Sequence, residues 1–134
     1  VLTPKIPSDI LQTSRDFSRD VVRKGGDLKA DWLNNGPESL TEALPKNCRL
    51  RLQGLYSGRA LHLQTLGRAD LLCSKLFAYC DRQQDLADCV ALQPLRQEIL
   101  ESLRWLKRQD AHSGWPEHVD RSMAALARRL GYEL

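Results

Sequence analysis

Long hydrophobic runs are missing from this sequence: no stretch approaches the roughly 18 apolar residues of a membrane span. No spanning helix is expected. β-branched aliphatics are scarce, with 5 Val and 3 Ile against 24 Leu. Leucine keeps its rotamer freedom in a helix where Val and Ile lose theirs, so the bias points to helices. Cysteine is sparse too, because four in 134 residues lie below the density of a disulfide scaffold. A reduced, cytoplasmic protein is the expectation, and a secreted or periplasmic chain with two disulfides is the alternative. An excess of one charge is also lacking. With 20 Lys and Arg against 17 Asp and Glu, the net charge of +3 demands neither nucleic acid nor a membrane as partner.

What is present is an ordinary globular composition, 42% apolar and 28% charged, which excludes disorder. Its 134 residues suffice for one domain with its own core. The chain opens Val1-Leu2-Thr3-Pro4 with no initiator Met and no visible signal or lipidation motif, so it reads as trimmed or processed.

Residues 1–7 read as an extended arm fixed by Pro4 and Pro7. A helix is expected over 8–24, capped by Ser8 or Asp9 and stopped by Gly25 and Gly26. Ile10, Ser14, Phe17 and Val21 form its core stripe, with Arg15, Arg19 and Arg23 on the solvated face. Residues 27–47 look irregular, with short helices over 28–33 and 38–44. A long helix is expected over 47–66, although the alternation Arg49-Leu50-Arg51-Leu52 permits a short strand at its start. In that helix Gly54 and Gly58 lie one turn apart and thin one face, so another backbone could approach it.

The cleanest amphipathic stripe is Ala69, Leu72, Cys73, Leu76, Phe77 and Cys80, which marks a core helix. A short helical piece follows around Leu86 to Val90. Pro94 suits the first turn of the next helix, whose buried stripe is Leu95, Ile99, Leu103 and Leu106 and which ends near Asp110. His112-Ser113-Gly114 makes a turn. Pro116 and Glu117 open the last helix, with Val119, Met123, Leu126 and Leu130 facing inward and Gly131 as its cap. The fold class is all-α: a single-domain bundle of four or five main helices with additional short ones.

Chemistry has little to build on. Cys73, Cys80 and Cys89 lack the paired spacing of a zinc site or a redox motif, and no His stands at a ligand offset, while a disulfide of Cys80 with Cys89, or of Cys48 with any of the others, stays open. No metal and no cofactor are expected. His62, His112 and His118 are scattered, without a nucleophile in a triad signature. Arg59 with His62, or Arg108 with His112, could serve a small helical hydrolase or nuclease, the third of three readings. The second is an Arg-dependent RNA- or DNA-binding accessory protein contacting its ligand through Arg15, Arg19, Arg23, Arg121, Arg128 and Arg129. Trp32, Trp105, Trp115 and Tyr132 would offer stacking there. Asp16, Asp20, Asp110 and Asp120 interrupt those clusters, which favours plain solvated surface.

The leading expectation is therefore a non-enzymatic helical module, an adaptor or regulator that binds another macromolecule, a protein in preference to nucleic acid. Its contact residues are expected to be Trp105, Trp115, Gly54, Gly58, Arg59, Arg104 and Arg108, with the two tryptophans as anchors.

Overall fold

The structure, a computed structural model, describes residues 5–35 and 44–134. The chain divides into two compact units, Val1–Ala43 and Leu44–Leu134. The described residues are mostly helical: five α-helices accompany one two-stranded sheet.

In the first unit, α1 spans Ser8–Arg23. The expected cap is displaced. Pro7 occupies the N-cap in extended conformation and its carbonyl accepts from Leu11 N at 3.1 Å, so Ser8 and Asp9 are already inside the helix and neither caps it. The stop is as expected: Gly25 takes φ +85°, Gly25 N donates to Val22 O and Gly26 N to Val21 O, the paired closure that a left-handed residue after the helix permits. The buried positions of α1 are Ser14 and Ser18, whereas Ile10 and Phe17 of the expected stripe are about half exposed. The reason lies in the segment that packs there. Ser18 Oγ donates to Leu28 O at 2.8 Å, and Trp32 Nε1 donates to Ser14 O at 3.1 Å, so small residues admit the chain returning over the helix. Residues 28–33 make turns, not the short helix expected, closed by a single bond from Trp32 N to Lys29 O. The helix expected over 38–44 lies almost wholly outside the described residues, as does the start of the expected arm, residues 1–4.

The second unit carries the main core. Its helices are α2 (Arg68–Arg82), α3 (Leu86–Ala91), α4 (Arg96–Leu106) and α5 (Trp115–Arg129). Leu72 and Leu76 from α2, Ile99 and Leu106 from α4, and Val119, Met123 and Leu126 from α5 are fully buried against one another. Each such side chain contributes about 2 kcal/mol through removal from water. Lys75 ties α2 to the entry of α3 through Asp85 (2.8 Å) and Asp88 (2.6 Å). α4 starts two residues beyond Pro94, because Leu95 is extended and exposed while Pro94 itself is buried. Gly131 caps α5 at φ +83°, with Tyr132 N donating to Ala127 O.

The largest departure from expectation is at 47–66, where the structure has no helix. Cys48–Arg51 forms a 3-10 turn, and β1 (Gln53–Ser57) and β2 (His62–Thr65) pair as an antiparallel hairpin. Two glycines each weaken a helix here by about 1 kcal/mol. The hairpin instead gains a cross-strand Tyr56–Leu63 pair and a tight Arg59-Ala60 loop closed by Gly58 N donating to Leu61 O at 2.8 Å. The strand that the alternation at 49–52 permits is occupied by the 3-10 turn.

Candidate functional site

The hairpin is amphipathic. Tyr56 stands opposite Leu63, and Leu61 follows on the same face by the two-residue period of a strand; Ser57, His62 and Gln64 share the other face. An apolar sheet face ordinarily packs on a core. This one is exposed, with Tyr56 at 57%, Leu61 at 52% and Leu63 at 44%. Leu55, displaced by a bulge in β1, is 68% exposed, and Leu50 in the preceding turn is also in solvent. Among the described residues of the second unit, the other exposed large apolar side chains are just Leu95 and Leu134, so the apolar exposure is concentrated on the hairpin. Tyr56 also lies across Gly58, where an added Cβ would stand 2.6 Å from the tyrosine hydroxyl.

The base of the hairpin is fixed while its faces are free. Arg51 Nε and Nη2 donate to Asp70 Oδ2 (2.9 Å) and Oδ1 (2.6 Å), and Nη2 also donates to Lys46 O at 3.0 Å. The Asp70 side chain is only 3% exposed. Gly67, the N-cap of α2, brings its backbone so close that a Cβ would meet Arg51 O at 2.7 Å. Leu66 and Cys48 are buried beside this junction.

A cleft of about 240 Å³ lies next to it, lined by Arg51, Asp70, Cys73, Glu98, Ser102 and Trp105 among others. Its polar groups are already satisfied. Arg68 donates to both oxygens of Glu98 (2.8 and 3.0 Å) and to Leu92 O, which holds the Glu98 carboxyl below its ordinary range. Cys73 Sγ donates to Ser102 Oγ at 3.6 Å, and burial pushes its thiol up. The arrangement ties α2 to α4.

The structure scatters the residues singled out from sequence. Gly54 lies in β1 and Gly58 at its end, so no glycine-thinned helix face exists; the positions belong to the hairpin instead. Arg59 is exposed in the hairpin loop. Trp115 is a core residue, 8% exposed, whose Nε1 donates to Leu106 O at 2.8 Å, and the indole is therefore committed inside the fold. Trp105 is half-buried, edge-on to Phe77 with ring centroids 6.2 Å apart. Arg104 and Arg108 are exposed near the end of α4. In the first unit Arg15, Arg19 and Arg23 lie in solvent, Arg19 paired with Asp16 and Arg23 with Asp20 at 3.2 Å. Arg121, Arg128 and Arg129 are exposed on α5. His62 Nδ1 lies 2.9 Å from Ser57 Oγ, on the open polar face of the hairpin. Among the described residues no carboxylate bonds its ring, so the pair lacks the third group and the enclosure that activate a serine. His112 is exposed, its Nδ1 accepting from Gly114 N. His118 is tied to Cys80 O at 2.8 Å beside Trp115.

All four cysteines are free thiols. Among the described residues, no group of three or more His, Cys, Asp or Glu could hold a metal ion, and no helix is long and apolar enough to cross a membrane.

One signal was present in the residues and is missed by periodicity. Between Glu42 and Asp70 the sequence has no Asp or Glu but carries Lys46, Arg49, Arg51, Arg59 and Arg68, so the hairpin and its flanks hold a local excess of positive charge. No family model matches the chain, and neither the curated proteins nor the solved structures contain a match.

Proposed function

We propose that the chain is a non-enzymatic helical module that binds another macromolecule, a protein in preference to nucleic acid, and that the Gln53–Thr65 hairpin is its contact surface. The observation that carries this reading is the apolar face of Tyr56, Leu61 and Leu63 standing in solvent on an element anchored at its base by Arg51 and Asp70. A two-stranded hairpin gains little stability alone, and contiguous exposed apolar surface marks sites of association. Gly54, Gly58 and Arg59 keep the partner-contact role on this element; Arg104 and Arg108 are peripheral to it, and Trp115 has none. A reducing, cytoplasmic setting fits the four free thiols.

The test is a photo-reactive amino acid placed at Leu63 in the producing cell, with a second at Arg121 as control. The reading predicts a discrete adduct from Leu63 that disappears when Tyr56→Ser is added. Equal labelling from both positions, or none from Leu63, contradicts it.

A further inference from the structure

We propose that the hairpin docks an acidic protein segment, whose apolar side chains cover Tyr56, Leu61 and Leu63 while its carboxylates pair with Arg49 and Arg59; the proposal rests on the partner-binding reading above. The first argument is charge segregation. Residues 43–69 contain five Lys or Arg and no carboxylate, whereas the whole chain is only +3, so the remainder is net acidic. Two of the five cations are used internally, Arg51 by Asp70 and Arg68 by Glu98. Lys46, Arg49 and Arg59 are exposed and have no ion pair among the described residues. Arg49 stands in the 3-10 turn leading into β1 and Arg59 at the loop between the strands, so the cations flank the apolar face at both ends. An apolar centre with a charged rim is the common anatomy of a protein interface, and rim charges of one sign select a partner of the other.

The same facts weigh against the other occupants. A second copy of the chain would bring Arg49 and Arg59 against like charge. A nucleic acid backbone would meet the arginines but offers no apolar surface to the exposed Leu55, Tyr56, Leu61 and Leu63. An acidic segment with alternating apolar residues satisfies both requirements together.

The experiment is an amide-shift titration of the isotope-labelled full chain with four probes: a short peptide of alternating Leu and Glu, the same peptide with Lys for Glu, oligothymidylate, and phosphatidylglycerol vesicles. The expected result is shifts confined to residues 49–65 with the Glu peptide. Its affinity should exceed that of the Lys peptide at least about tenfold, weaken with added salt, and fall about tenfold in Arg59→Glu. Tyr56→Ser/Leu63→Ser should abolish the shifts while resonances of α2, α4 and α5 stay in place. Equal binding of the Lys peptide, a hairpin response only to DNA or vesicles, self-association through the hairpin, or no response to any probe overturns the acidic partner. The Leu63 adduct experiment decides the broader reading separately, so a failure here with a specific adduct there leaves a docking hairpin of different partner chemistry.

Discussion

Arg51 holds both carboxylate oxygens of Asp70, at 2.9 and 2.6 Å, and so joins the turn that precedes the hairpin to the first turn of α2. Asp70 is almost wholly buried while Arg51 reaches water. Removing the arginine alone strands a buried carboxylate, whereas removing both leaves nothing uncompensated. Arg51→Ala should therefore lower the urea midpoint, and adding Asp70→Ala should recover part of the loss. A double-mutant cycle by urea unfolding checks this; a double variant less stable than Arg51→Ala contradicts it.

Gly67 and Gly54 give a paired test of the same junction. A Cβ on Gly67 meets Arg51 O at 2.7 Å, which is backbone and cannot swing aside, while one on Gly54 meets nothing within 4 Å. Gly67→Ala should cost about 1–3 kcal/mol by overpacking, and Gly54→Ala should fall within about 0.5 kcal/mol of the parent. Denaturant unfolding of the two variants decides it.

The parts legible in the sequence were those where a single physical signal acted alone. The stripe from Leu72 to Cys80 and that from Val119 to Leu126 bury as their spacing predicts, because each faces one continuous core. Gly25 and Gly131 end helices as expected, since left-handed backbone favours glycine locally. The hairpin was hidden because Leu52, Leu55, Leu63 and Leu66 also satisfy a helical period, and periodicity does not register the helix cost of Gly54 and Gly58 or the Tyr56–Leu63 pairing. On α1, Ser14 is buried as its stripe predicts, but Ser18 was missed as interior and Ile10 and Phe17 stand half exposed for another reason: what packs there is the returning segment with Leu28 and Trp32, which the stripe of α1 cannot reveal. The surface itself was legible only as charge, through the carboxylate-free stretch between Glu42 and Asp70.

Acid should weaken the link between α2 and α4. The Glu98 carboxyl lies below its ordinary value, first through its hydrogen bonds from Arg68 and then through Leu95 N. A depressed folded pKa contributes stability above the unfolded value, near 4.5, and that contribution is lost as pH falls through the folded value. Glu98→Gln should lower the melting temperature modestly at pH 7, and the gap should narrow as pH falls below about 4.5. Thermal melts at both pH values measure it; a gap that widens in acid contradicts it.

Thiol reactivity should report the core. Burial pushes Cys80 up to about 12 and Cys89 up to about 11, so neither forms thiolate near neutrality. Alkylation with iodoacetamide at pH 8 should spare both in the folded chain, and all four cysteines should react in urea. Mass analysis of the modified peptides reads this directly, and rapid native labelling of Cys80 would count against the packing of α2 on α5.

The hairpin face is the centre of the account, and the urea midpoint of Tyr56→Ser/Leu63→Ser tests it most directly. An apolar pair left in solvent for a partner adds no more to the fold than its cross-strand contact, so the midpoint should stay within about 1 kcal/mol of the parent in converted free energy. A loss of about 2 kcal/mol or more would mean that these side chains belong to the chain's own core, and would contradict the account.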